Sequence, residues 1–168
     1  TAIRLSLVGS DMCIRDRLWM ELDLINPDHK QHGKMTYNDS KKHESAFTSV
    51  SIQKNNSVML SSFEGTTLGV WISHGEGKFT LPYQESNYNI VAKYAHKDYP
   101  HNPNGSDFNT AMLCDSTGRH LVTMPHIERS IFPWNWAYYA DDRKDDVSPW
   151  LGAFENARQW IEQYNAKI

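Results

Sequence analysis

Apolar positions along this chain fall into short runs separated by turn formers. Phe47 to Ile52 is rich in β-branched residues, which predicts a strand. Leu68 to Ile72 is a continuous apolar run between turns, the pattern of a strand buried on both faces. Asn89 to Ala95 alternates and predicts a half-exposed strand. Asn109–Leu113 and Arg119–Met124 predict two paired strands, joined through Asp115-Ser116-Thr117-Gly118 with Gly118 free to take a positive φ. Val58 to Phe63 leaves helix and strand open. Two stretches carry helical spacing. Leu18, Leu22 and Ile25 predict a helix over 18–25, stopped by Pro27 and Asp28. Ser148 caps and Pro149 opens a last helix, with Trp150, Phe154, Ala157, Ile161 and Tyr164 recurring on the face expected to lie on the sheet.

Composition narrows the class. The 168 residues are enough for one domain with a real core. Seventeen basic against 20 acidic residues, net −3, give no pull toward nucleic acid or an anionic membrane. No apolar run approaches the ~20 residues that span a bilayer. Cys13 and Cys114 are too few for a disulfide framework, so the expected compartment is reducing and cytoplasmic. His29, His32 and His43 lie among lysines without a recurring ligand spacing, and no metal site is expected from them. The aromatic segment Phe132, Trp134, Trp136, Tyr138 and Tyr139 could stack bases. The acidic Asp141, Asp142, Asp145 and Asp146 that follow would repel phosphate, and packing against a partner domain is the expectation.

The strongest chemical signal is Met124-Pro125-His126-Ile127-Glu128-Arg129. Pro125 has no N–H for a ladder, so the chain must leave the sheet there and deliver His126 and Glu128 to an edge. An imidazole acting as base needs an acceptor on its other nitrogen, and a carboxylate two residues on can be that acceptor. His74-Gly75-Glu76-Gly77 follows a predicted strand, and its glycines bring backbone close to something. Asn102-Pro103-Asn104-Gly105-Ser106 predicts a tight turn. Cys114 ends a strand and is expected to be a buried, structural thiol.

In this order and spacing, over about residues 18–168, these motifs resemble the class I glutamine amidotransferase domain at the C-terminus of phosphoribosylformylglycinamidine synthases, enzymes of purine biosynthesis. The resemblance implies an α/β three-layer, flavodoxin-like sandwich, of which the C-terminal half is present. It implies a Cys–His–Glu triad that hydrolyses glutamine. In that triad His126 is general base and Glu128 its orienting partner. The ammonia released converts formylglycinamide ribonucleotide to its amidine. Asn38-Asp39-Ser40-Lys41-Lys42-His43-Glu44 is similar to the family segment Asn-x-Ser-x-Arg-Phe-Glu, which implies Asn38, Ser40 and Glu44 beside glutamine; Lys42 and His43 depart from it. His74 joins them as a substrate-binding residue. The expected partners are glutamine and a synthetase domain of the same enzyme. No cofactor is expected here, with ATP and Mg2+ on the synthetase side.

The resemblance ends at the first helix. The family presents its nucleophile in Cys-Asn-Gly-Cys-Gln before that helix. Counting back from Leu18, Asp16 stands at the nucleophile, Arg17 at the Gln, Arg15 at the elbow glycine and Cys13 at the first cysteine. Three readings follow. Residues 1–17 are foreign sequence, Met12–Arg17 looking like translated adapter, on a partial domain of residues 18–168. Alternatively, the chain is a genuine inactive relative that binds glutamine or a synthetase partner without turnover. Or Cys13 is the nucleophile of a shifted elbow. Ile3, Leu5, Leu7 and Val8 could make a short strand. Without a nucleophile the chain is expected to be inactive, and without the family's first strands an apolar sheet face is expected to be uncovered and solubility poor.

Overall fold

A computed structural model describes residues 11–166, with side chains from residue 14 onward. The possible strand at residues 3–8, most of the segment expected to be foreign, and the Cys13 side chain lie outside the described residues. The elements are α1 (Asp11–Glu21), β1 (Lys34–Thr36), β2 (Glu44–Ile52), β3 (Thr67–His74), β4 (Lys78–Thr80), β5 (Ile90–Tyr94), β6 (Thr110–Cys114), β7 (Leu121–Thr123) and α2 (Leu151–Asn165).

Five strands form one antiparallel sheet in the order β3-β2-β5-β6-β7. The β6–β7 hairpin pairs Met112 with Thr123 and turns on Gly118 at φ +78°, a conformation open to glycine. Asp115 holds that turn by accepting the backbone N–H groups of Arg119 and His120 at 3.1 and 3.0 Å. Adjacent residues on β6 face opposite ways. Met112 and Cys114 join a core with Val50, Ile52, Val70, Ile72 and Trp150, while Leu113 joins Met20, Phe79, Val122 and Met124. These two cores are the two faces of the sheet. One is covered at the start of α2, the other by α1 and a second, two-stranded sheet of β1 and β4.

The sheet curls until its two edges meet. The chain leaves β7 at one edge, and two residues past Met124 the His126 N–H donates to Trp71 O on β3, the other edge, at 2.7 Å.

Several sequence expectations are corrected. The first helix begins at Asp11, not Leu18, and ends at Glu21, where Asp23 takes φ +61°. Its buried residues are Asp16 and Met20, one turn apart. Leu18 and Leu22 therefore point away and are half exposed, and only Ile25 of the expected triplet is buried. β3 alternates instead of being buried throughout: Val70, Ile72 and His74 face in while Leu68 and Trp71 are partly open. β5, expected half exposed, is buried at Ile90, Val91, Ala92 and Tyr94 because it is the central strand with both faces covered. In α2 only Ala153 is buried. Phe154, Ile161 and Tyr164 are exposed because the helix meets the sheet at its start and then runs past it. The expected cap is displaced: Trp150 is the N-cap of α2 and no side chain caps it, while Ser148 holds the turn before it, its Oγ accepting the Trp150 N–H at 3.2 Å. β1 and β4 fall in stretches with no readable period.

Candidate functional site

The His126–Glu128 pair is built by a change of backbone. β7 ends at Thr123, Pro125 cannot extend the ladder, and Ile127–Arg129 close a 3-10 turn with Arg129 N–H on His126 O at 3.1 Å. In that tight turn a side chain two residues on reaches back. His126 Nδ1 lies 2.7 Å from Glu128 Oε1. The ring is 1% exposed, and its Nε2 has no hydrogen-bond partner among the described residues. Burial works to raise the Glu128 carboxyl, yet the His126 hydrogen bond, the His126 charge and Arg129 outweigh it and hold the group below its ordinary value. A carboxylate on Nδ1 fixes the proton there and leaves Nε2 as the working nitrogen.

Asp16 faces this pair from α1. It is fully buried, accepts the Thr123 N–H at 3.1 Å and carries the Arg15 guanidinium at 2.9 Å. Burial pushes its carboxyl up to about 6, against the Arg15 charge, the Thr123 N–H and the nearby His126. The residue lies inside a helix, not in a strained turn before one. Its helix N–H groups are therefore committed to the helix and supply no oxyanion donor at this point. Cys114, among the described side chains, is fully buried, and burial and Asp115 push its thiol up to about 11.

His74 ends β3 and is 2% exposed, with neither ring nitrogen partnered among the described residues. Burial and the neighbouring His126 lower it to about 4, so the ring is neutral at pH 7. It rests on Gly77, where an added Cβ would come 2.4 Å from His74 Nδ1 and 2.9 Å from Asn104 Nδ2. Gly77→Ala should therefore displace the ring or the loop, lowering stability by about 1–3 kcal/mol in chemical denaturation and moving the His74 NMR resonances. An unchanged midpoint and spectrum would show that the loop relaxes freely. Glu76 points outward to Arg17 at 2.7 Å, an exposed pair of small energetic weight.

Asn38 braces the whole corner. Its amide donates to His74 O at 2.7 Å and Lys42 O at 2.9 Å, and its carbonyl accepts Gly77 N–H at 3.1 Å. Every group of that side chain holds backbone, the geometry of a residue that positions the loop. Ser40 and Glu44 line a separate groove of about 590 Å³ with Lys42, Lys97, Asp98 and Asn102, a groove that His74 and His126 do not line. Asn104 is the residue that spacing did not single out. Fully buried, it donates to Gly77 O and Tyr94 OH, both at 3.0 Å. The only sequence signal for it was its place in the Asn-Pro-Asn-Gly-Ser turn.

Trp136 and Tyr139 of the aromatic segment pack within the chain: Trp136 tilts against Phe47 at 5.6 Å and Tyr139 stands edge-on to it at 5.2 Å. Trp134 and Tyr138 stay exposed. His29 packs against Tyr83 and Tyr88. Among the described residues no group of three or more His, Cys, Asp or Glu side chains could hold a metal ion. Nor is any helix among them long and apolar enough to cross a membrane.

Comparison with known proteins places these features in a family. A family model described as a CobB/CobQ-like glutamine amidotransferase domain matches residues 16–161. A human phosphoribosylformylglycinamidine synthase is 38% identical over 139 residues, 75% of this chain and 10% of that protein. An Arabidopsis thaliana relative, whose name adds chloroplastic/mitochondrial to the same activity, is 39% identical over 144 residues, 77% of this chain and 10% of its own length. The chain thus spans about a tenth of the curated relatives it matches. The solved structure of PurLQS from Thermotoga maritima superposes with a TM-score of 0.64 at 21% identity, over 87% of this chain and 58% of that one. The α/β architecture is that of the class I glutamine amidotransferases.

Proposed function

Because the chain belongs to the CobB/CobQ-like glutamine amidotransferase domain family, we propose that it carries the His–Glu half of a glutaminase site in a phosphoribosylformylglycinamidine synthase. The observation that supports this most directly is the buried His126–Glu128 pair, 2.7 Å apart with Nε2 left free. Glutamine and water are converted to glutamate and ammonia. A cysteine thiolate attacks the side-chain amide carbon, backbone N–H groups hold the oxyanion, and His126 Nε2 hands its proton to the departing nitrogen. Water then hydrolyses the thioester, and Glu128 holds the ring in one tautomer throughout. His74 lies beside this chemistry, Asn38 positions its loop, and the groove at Ser40 and Glu44 is the entry side for glutamine. Ammonia passes to a synthetase domain, where ATP and Mg2+ belong, and converts formylglycinamide ribonucleotide to its amidine. Residues 16–161, which the family model matches, carry the amidotransferase part.

Asp16 favours a second reading for the chain as it stands, a glutamine-binding domain without turnover. Glutamate release by this chain should not exceed the blank. Release that disappears in His126→Ala would overturn that expectation. The site itself is tested with Asp16→Cys. The thiol should alkylate with iodoacetamide faster than it does in the Asp16→Cys, His126→Ala double variant, because a nearby imidazole promotes the thiolate. Equal rates would place residue 16 out of reach of His126 and reject the assignment.

A further inference from the structure

The segment from Ile131 to Ser148 is a loop closed at its base: the Ser148 N–H donates to Ile131 O at 2.9 Å and its Oγ to Ser130 O. The loop carries two kinds of side chain that the rest of the chain leaves open. One is aromatic. Trp134 is 73% and Tyr138 75% exposed, although Phe132 stacks flat on one face of Trp134 at 4.6 Å and so holds that ring in place. The other is acidic. Asp141, Asp142 and Asp146 are exposed and make no ion pair among the described residues. The two cations of the run are already committed, Arg143 to the Asp145 carboxylate and Lys144 to the Asp141 carbonyl at 2.8 Å. Asp142 reaches Arg143 only as a more distant charge.

The protein shows twice what such groups hold. Arg143 lies over the Tyr139 ring at 5.1 Å, and Asp145 grips its guanidinium while accepting the Tyr139 hydroxyl at 2.7 Å. On α1, Arg15 lies over Trp19 at 5.5 Å with the Asp16 carboxylate on its guanidinium at 2.9 Å. In both, a flat cation stacks on an aromatic face and is tied by a carboxylate. Trp134 and Tyr138 with Asp141, Asp142 and Asp146 bring the same two ingredients to one loop without the arginine. A guanidinium suits them better than an ammonium, because it is planar, less strongly hydrated and able to stack and hydrogen-bond at once. The same carboxylates repel nucleic-acid phosphate and an anionic lipid surface, which leaves a protein partner.

We infer that the loop of residues 132–147 is a docking surface for a protein segment that presents arginine, its guanidinium stacking on Trp134 or Tyr138 and pairing with Asp141, Asp142 or Asp146. Nothing in this depends on the glutaminase reading. The base of the loop adjoins the turn that carries His126 and Glu128. Ser130 closes that turn through its N–H on Ile127 O at 3.0 Å, and its own carbonyl accepts the Ser148 hydroxyl and the Trp136 indole N–H. A partner seated on the loop is therefore held next to that turn.

The test uses the chain itself and capped hexa-arginine, hexa-lysine and hexa-glutamate peptides, with binding followed at low salt by the tryptophan indole N–H signals in NMR. The arginine peptide should bind on the order of tenfold tighter than the lysine peptide and shift the Trp134 signal, and the glutamate peptide should not bind. Trp134→Ala combined with Tyr138→Ala should erase the preference for arginine. Asp141→Asn, Asp142→Asn and Asp146→Asn together should weaken arginine binding on the order of tenfold. Glu64→Gln, Glu155→Gln and Glu162→Gln together, an equal change of net charge elsewhere on the surface, should leave it nearly unchanged. All the replaced side chains are exposed. Equal affinities for arginine and lysine, an arginine preference that survives loss of both aromatic rings, or an equal loss in the Glu→Gln control would each overturn the docking surface. Self-association of the free chain that disappears with Trp134 and Tyr138 would assign the loop to a second copy and overturn it too.

Discussion

Asp16→Asn should stabilise the chain by about 3 kcal/mol more at pH 7.5 than at pH 3. The buried carboxyl has its pKa raised from 3.8 to about 6. A raised folded-state value means that the native state holds the proton more tightly than the unfolded one. The group's contribution is then most favourable below pH 3.8 and is lost as the pH rises through about 6. A shift of about two units corresponds to about 3 kcal/mol at ~1.4 kcal/mol per unit. Asn keeps the acceptor for the Thr123 N–H and removes the charge that burial disfavours. It also gives up the Arg15 pair, whose guanidinium is 39% exposed and so weakly held. Urea denaturation across this pH range would show the wild-type curve falling relative to the variant. Parallel curves would mean that the carboxylate is ionised in the fold at no cost. Asp16 is thus a buried carboxyl whose charge the fold disfavours, close enough to His126 for the two charges to interact.

Trp150→Ala should cost about 4 kcal/mol, the upper part of the range for emptying a large aromatic site. Trp150 is fully buried at the start of α2, and its indole N–H donates to Gly69 O on β3 at 2.7 Å. It packs on Phe63 and joins the core cluster of Val70, Ile72 and Met112. Phe154, Ile161 and Tyr164 are too exposed to hold the helix in its place. The loss should be cooperative in thermal melting, with the far-UV helix signal and the core fluorescence failing together. Trp150→Phe should lose only about 1–2 kcal/mol, for the hydrogen bond and the smaller ring. Equal losses in the two variants would show that the hydrogen bond to Gly69 dominates. No loss in either would show that α2 is held elsewhere.

The β6–β7 hairpin was legible because its pairing is local: two apolar runs and a turn with Gly118 leave little choice of register. The His126–Glu128 pair was legible for the same reason, since a proline exit followed by a tight turn couples side chains two residues apart. The helix faces were not legible. Periodicity marks which residues share a side but not which side meets the core. On α1 the buried row runs through Asp16 and Met20, and Leu18 and Leu22 are turned outward. β1 and β4, three residues each, are strands only because they pair with one another across more than forty residues.

The sequence by itself determined the β6–β7 hairpin, the dyad and, through several motifs in one order, the family. These follow from contacts within a few residues or from residue types with few conformations. Only the tertiary structure decided that the curled sheet brings β3 against the segment after β7. That closure brings His126 against β3, the strand that ends in His74, while His74 and Asn104 pack on Gly77 and Asn38 braces their loop. Such meetings join residues tens of positions apart. They are fixed by how the two sheet faces pack, and no local pattern encodes that packing.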